Sequence, residues 1–262
     1  MATQAPQMPP MYKDLEPLSN QAHASFKTRG SDGLPQLSSL HAIPIVIDEF
    51  VAVQRFFPIV FSSGDNSVPL ALMGLNEGVN TFVDEEGKLI SAAYIPAYVR
   101  RYPFMLARVD SDKDTLSLCF DPSSGLVGDF EEGMPLFDGD QPSEATQNIL
   151  KFCEEFEVSA QRTGQFMEEL KKLDLLIDGE LSVQAGTDTQ PVVYRGFRMV
   201  DEEKFREMRG DELRKINQNG ILALLVAHMF SLPLARDIFV RQVEQGKGPP
   251  LVPAETDSLP GV

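Results

Sequence analysis

The spacing of apolar residues changes character part-way along the chain, and that change limits which folds are open to it. Up to about residue 120 the apolar residues come in short runs, each closed by Gly, Pro, Asn or Asp. From Ser143 onward they recur every three or four residues over long stretches. Short runs between turn formers read as strands, and the three- and four-residue spacing reads as the buried face of helices. Strands first and helices second is an α+β order; a regular strand–helix alternation, the mark of a parallel sheet, is missing. The 262 residues can bury a sizeable core. The expectation is a single α+β domain over residues 12–245. Residues 12–140 should hold a mixed or antiparallel sheet with short helices, and residues 141–245 should be mainly helical. Pro- and Met-rich residues 1–11 read as a disordered arm, and Pro/Gly-rich residues 246–262 as a flexible tail.

Several local expectations follow. Asp48 should cap a short helix carrying Phe50, Val53, Phe56 and Phe57 on one face, with Pro58 ending it. Residues 59–61 and 68–75 should be buried strands joined by the turn 62–67, and 81–83 should pair with 88–90 around Gly87. Residues 104–109 and 115–120 should form a hairpin turning at 111–114. Between 110 and 144 there are ten acids and one base, with many Gly and Pro, so residues 121–141 read as a long surface loop. Ser143 should cap the longest helix, whose apolar face includes Ile149, Phe152, Cys153, Phe156, Phe166 and Leu170, with Gly164 as a kink or close contact. Further strands are expected at 181–183 and 192–197. An Asp201-capped helix should follow, then a helix from 211 to about 232, broken or kinked by Pro233 and continued over 235–245.

The most unusual composition lies at residues 94–108. Fifteen positions hold Tyr94, Tyr98 and Tyr102, Arg100, Arg101 and Arg108, two prolines and Phe104, and no acid occurs from 87 to 109. Pro96 suits the first turn of a short helix and Pro103 its end. Arg100 and Arg101 can present guanidinium forks to a carboxylate or phosphate, with the three tyrosines as flat, hydroxyl-bearing walls. In a chain with 39 carboxylates, the plainer use of those arginines is to pair with the acidic loop at 121–132.

The remaining signals mostly exclude. A net charge of −16 disfavours nucleic-acid binding and adsorption to anionic lipid. Cys119 and Cys153 sit in apolar surroundings and read as reduced core thiols, although one disulfide is open to them. Metal-ligand spacings, a P-loop, a GxGxxG run and a nucleophile elbow are all missing, so no metal and no cofactor is expected. The turn 62–67 and the acidic loop read as ordinary turn and solvated surface rather than anion or calcium sites. His228 reads as a core histidine, His41 as a remote candidate base with Asp48 or Glu49, and His23 as solvated. The N-terminus lacks a signal-peptide pattern, and no uninterrupted apolar run of about 18 residues occurs, so a cytoplasmic location without membrane insertion is expected.

Several patches together resemble the SapC family of soluble bacterial proteins. They are Ile43-Pro44, Glu49-Phe50 and Phe57-Pro-Ile-Val-Phe61; Phe82-Val-Asp84 with Gly87; Ile95-Pro-Ala-Tyr-Val-Arg-Arg-Tyr-Pro-Phe104; and Gly196-Phe-Arg-Met-Val-Asp-Glu-Glu-Lys204 with Gly220, His228 and Ser231-Leu232. The family takes its name from genes beside surface-layer protein genes, and similar proteins are encoded near TonB-dependent receptors, flavin-dependent halogenases and cupin-like hydroxylases. The resemblance implies an accessory role around a surface or secreted polypeptide and brings no catalytic residue set. Joined to the residue reading, it leads to a non-catalytic protein that binds a polypeptide or partner enzyme through Arg100, Arg101, Tyr94, Tyr98 and Tyr102. The alternative is an enzyme acting on a peptide or small carboxylate, with His41 or His228 as base and the two arginines as anion clamp.

Overall fold

A sheet and a helix each bury one apolar side, and here they bury them against each other. The computed structural model describes residues 8–91, 93–109, 115–184 and 189–249. Its largest sheet has five strands in the spatial order Leu176–Asp178, Phe197–Val200, Ile59–Ser62, Pro69–Leu72 and Ala42–Pro44, all antiparallel to their neighbours. The central strand carries Ile59, Val60 and Phe61 fully buried on both faces, which is why its sequence is continuously apolar. Helices dominate from Glu144 on, so the fold is α+β with antiparallel sheets.

The long helix Glu144–Lys172 ties the molecule together. Ser143 caps it, its hydroxyl accepting the Thr146 N–H at 3.2 Å. At 29 residues it runs about 43 Å, long enough to serve two cores in succession. Phe166, Met167 and Leu170 enter the main core, where Phe166 meets Phe50 edge-on at 5.8 Å. Ile149, Leu150 and Cys153 enter a smaller cluster with Phe104, Leu106, Phe120 and Leu136. That cluster backs the hairpin Phe104–Ala107 and Ser117–Phe120, paired from Phe104↔Phe120 to Ala107↔Ser117. The expected turn at 111–114 lies outside the described residues. The helix continues through Gly164, where a Cβ would meet nothing within 4 Å, so that glycine is neither a kink nor a close contact.

Where the fold departs from the local expectations, a tertiary partner decides. Asp48 does not cap the helix Phe50–Val53; its carboxylate accepts from Ser159 and Arg162 on the long helix. Residues 121–141 are not merely a surface loop. Val127–Gly128 and Met134–Pro135 flank Lys27–Thr28 in a three-stranded sheet, and Leu136 and Asp121 are fully buried. Residues 81–90 close around Gly87 with a single bridge, Val83↔Leu89, rather than paired strands. The arm also ends earlier than expected: Met11 is buried and the Pro10 carbonyl accepts the Tyr98 hydroxyl, while residues 1–7 lie outside the described residues. Likewise Lys247 still bonds back to the Gln242 carbonyl, and residues 250–262 lie outside the described residues. The expected helix from 211 to 232 is two, Gly210–Gln218 and Ile221–Ser231, divided at Gly220.

His228 holds the sheet together where it splays. Phe197–Val200 pairs with Ile59–Ser62 only at Phe197↔Ser62 and Arg198↔Phe61. Continued, that register would set Val200 against Ile59. The His228 ring fills this gap instead: Nδ1–H donates to the Ile59 carbonyl at 2.7 Å, and Nε2 accepts the Val200 N–H at 3.1 Å. Ser231 takes the Ile59 N–H at 2.8 Å. These two residues make the helix Ile221–Ser231 part of the sheet's hydrogen bonding, as a buried backbone requires. The segment Ile221–Glu244 is long and apolar enough by composition to cross a membrane, with a mean hydropathy of 1.6 over its most apolar 18 residues; here Leu225, Ile238 and Phe239 pack into the core.

Candidate functional site

The seam between the two clusters leaves a cavity of about 710 Å³. Leu37, Met73 and Val83 face it from the main core, and Phe104, Ile149 and Cys153 from the smaller cluster. The gap is roofed by the segment 28–34 and the loop Gly87–Leu89. Gly87 makes that roof possible. It has φ +74°, and a Cβ there would lie 1.8 Å from the Leu34 carbonyl oxygen. At the mouth Leu89, Ile95 and Met134 remain exposed, so the walls stay apolar out to solvent.

The stretch 94–104 forms one wall, and its five candidate residues have different roles. The helix Ala97–Arg100 starts at Pro96 and is anchored by the buried carboxylate of Glu49. Glu49 Oε1 accepts the Ala97 N–H at 2.6 Å and the Tyr94 hydroxyl at 2.9 Å, and Oε2 accepts the Val46 N–H at 3.1 Å. Tyr94 in turn accepts from Arg100 NH2 at 3.2 Å, while Arg100 Nε donates to the Ile95 carbonyl at 3.1 Å. Arg100 is exposed at the groove, with no acidic partner among the described residues. Burial, then the Glu49 charge, pushes the Tyr94 hydroxyl above its ordinary pKa, so it stays protonated and donates to Glu49.

Arg101 is built differently. Its side chain is 6% exposed, its guanidinium lies 4.1 Å from the Phe156 ring centre and 4.8 Å from that of Tyr98, and it pairs with Glu157 at 3.3 Å. It borders the cavity, yet its charge is engaged from behind. Tyr98 does not line the cavity at all. Its hydroxyl is spent on Pro10, and burial raises its pKa to about 12. Tyr102 lines the wall but is buried, with its hydroxyl accepting Gln36 Nε2 at 2.8 Å. Neither arginine pairs with the acidic loop at 121–132; Arg101 instead uses Glu157 on the long helix. Asp121, the loop's buried acid, accepts from the amides of Lys13 and Ser123.

Two groove residues were not among the expected site residues. Lys88 lay inside the acid-free window 87–109 and could have been found there; Arg29 carried no signal beyond neighbouring turn formers. Both are exposed at the mouth. No histidine lines the cavity. His23, expected in solvent, is buried, with Nδ1 accepting the Ser19 N–H and Nε2 3.0 Å from Glu16. His41 is half-buried, and burial lowers its pKa. Both cysteines are free and buried; burial pushes the Cys153 thiol up to about 11, so at the groove wall it acts as a small apolar residue. Among the described residues, no group of acids, histidines and cysteines is arranged to hold a metal.

A family model described as SapC matches residues 18–238, which take in the wall 94–104, the smaller core cluster, most of the main core and His228. The chain belongs to the SapC family. No curated protein and no solved structure gives a match. The SapC match covers Glu49, Tyr94 and Arg100 as well as Arg29 and Lys88, so every charged residue at the groove lies within the shared region.

Proposed function

We propose that this SapC-family chain is a non-catalytic accessory protein that binds a polypeptide segment, free or on a partner enzyme, in the groove walled by residues 94–104. The carrying observation is that the groove joins two kinds of wall. One is apolar side chain, from Ile149, Phe152 and Leu37. The other is main chain: Gly30, Ser31 and Asp32 line the cavity, and their amides have no protein acceptor among the described residues. An extended peptide uses both, pairing its backbone along one wall and lodging alternate side chains in the other. The resemblance to proteins encoded beside surface-layer genes points to a surface or secreted polypeptide as the partner. The enzyme alternative named His41 or His228 as base. Both stand away from the groove, and both His228 nitrogens already have backbone partners, so support for that reading weakens.

A plug tests the binding reading. Gly30 lines the groove and a Cβ there would meet nothing within 4 Å, so Gly30→Trp sets an indole at the groove without a backbone clash. Peptides selected from a random phage display on the parent protein should bind it and lose at least about tenfold in affinity on Gly30→Trp, the scale of one blocked side-chain recess. Equal binding to both proteins, or no enrichment at all, would overturn the proposal.

A further inference from the structure

The charged side chains bordering the groove run against the rest of the molecule. The chain has 39 acids and 23 Lys and Arg, but the groove has Arg29, Lys88, Arg100 and Arg101 against Asp32 alone. With Arg101 held by Glu157, three cations face solvent at the mouth. Two of them share one construction. Arg100 ties Nε to the Ile95 carbonyl at 3.1 Å and lies 5.2 Å from the Phe152 ring centre. Arg29, from the segment that roofs the cavity, ties Nε to the Gly125 carbonyl at 3.1 Å and lies 4.2 Å from the Phe130 ring centre. A carbonyl on Nε and a ring under the plane hold a guanidinium still while leaving outer N–H groups open. Neither arginine has an acidic partner among the described residues. An arginine fixed before its ligand arrives loses little side-chain freedom when it binds.

We infer that the groove reads acidic peptides: Arg29 and Arg100, supported by Lys88, take the carboxylates of an extended segment whose neighbouring bulky apolar side chains fill the walls. This rests on the peptide-binding reading and narrows it. It also replaces the adjacent pair Arg100 and Arg101 by two arginines 71 positions apart that both line the cavity.

The test uses three fluorescein-labelled peptides and the full chain, read by anisotropy. The first is Gly-Leu-Asp-Phe-Glu-Leu-Gly. The second replaces its acids by Asn and Gln, and the third replaces Leu and Phe by Ala. The acidic apolar peptide should bind at least about tenfold more tightly than its amide counterpart, as a charge-assisted pair at a partly dry site provides. The alanine version should bind weakest. Arg29→Gln and Arg100→Gln should each shrink the acid-to-amide ratio toward one. A ratio of one on the parent protein overturns the acidic preference and leaves peptide binding standing. An acidic preference that survives both substitutions overturns the assignment to these arginines. Binding of none of the peptides, with dodecanoate instead protecting the protein in a thermal shift, overturns both readings in favour of an acyl ligand.

Discussion

Lowering the pH from 7.5 to 5 should cost this fold about 2 kcal/mol through His228 alone. The ring is buried with its neutral form written into its bonds. Nδ1 must carry a proton to serve the Ile59 carbonyl, and Nε2 must lack one to accept the Val200 N–H. Burial therefore lowers the His228 pKa from 6.5 to about 4, with the Ile59 bond only partly offsetting it. The folded pKa lies below the unfolded one. The neutral ring's contribution is thus complete above pH 6.5 and drains away as the pH falls toward 4, because the unfolded chain takes up a proton that the folded chain refuses. Across the whole window the loss is about 3 kcal/mol, of which about two thirds has gone by pH 5. His41, also lowered by burial, adds a smaller loss of the same sign.

Urea unfolding at pH 7.5, 6 and 5 measures the effect, and His228→Gln isolates it. The Gln amide offers one donor and one acceptor but does not titrate, so the parent should converge on the variant as the pH falls. Parallel stability curves for the two proteins would refute the reasoning. Should the variant fail to fold, the imidazole NMR signals of the parent decide the matter: a His228 ring that protonates above pH 6 in the folded protein refutes it equally.

Three further outcomes follow from the site. Arg100→Ala should change stability by no more than about 0.5 kcal/mol, as for an exposed side chain without an ion pair, whereas Arg101→Ala, which empties a buried aromatic cage and strands Glu157, should cost about 2–4 kcal/mol; differential scanning calorimetry separates the two. Glu49→Gln keeps the size of a buried carboxylate but turns an NH2 toward donors that now face oxygen, so a loss of about 1–3 kcal/mol is expected in thermal melts. Gly87→Ala sets a Cβ against the Leu34 carbonyl at positive φ, and should raise hydrogen exchange in residues 33–37 and 87–90 by at least about tenfold, since strain of about 1–3 kcal/mol falls on that contact.

What could be read beforehand was whatever depends on neighbours along the chain. The long helix from Ser143, the hairpin strand starting at Phe104 and the Asp201 cap are set by local spacing and capping, and each lies where the pattern places it. Asp48 shows the limit. Its position before an apolar helix fits a cap, yet two residues more than a hundred positions away bond its carboxylate. The acidic loop shows the same limit from the other side: composition reports that Glu131 and Glu132 are solvated, not that Lys27–Thr28 threads between two of the loop's strands. The site was half legible. The stretch 94–108 announced an unusual surface, but Arg100 and Arg101 are chemically identical in sequence. Only the positions of Phe156 and Glu157 bury one, while Tyr94, the Ile95 carbonyl and Phe152 brace the other. Arg29 could not be found at all, because only the fold sets it on the cavity wall.

The contrast between a −16 chain and a basic groove also predicts how an acidic ligand would arrive. At about 0.15 M salt the Debye length is about 8 Å, so most surface acids are not felt at the groove mouth, while Arg29, Lys88 and Arg100 act at contact. At low salt the net charge reaches further and repels an anionic partner before it arrives. Raising salt from about 0.02 to 0.15 M should therefore speed association with the acidic apolar peptide, by lifting the long-range repulsion, and speed dissociation too, by weakening the contact pairs. A simple basic binding face would show association slowing over the same range. Stopped-flow rates at the two ionic strengths distinguish the cases, and association that slows with salt would mean that the groove's own field, not the acidic body around it, governs the encounter.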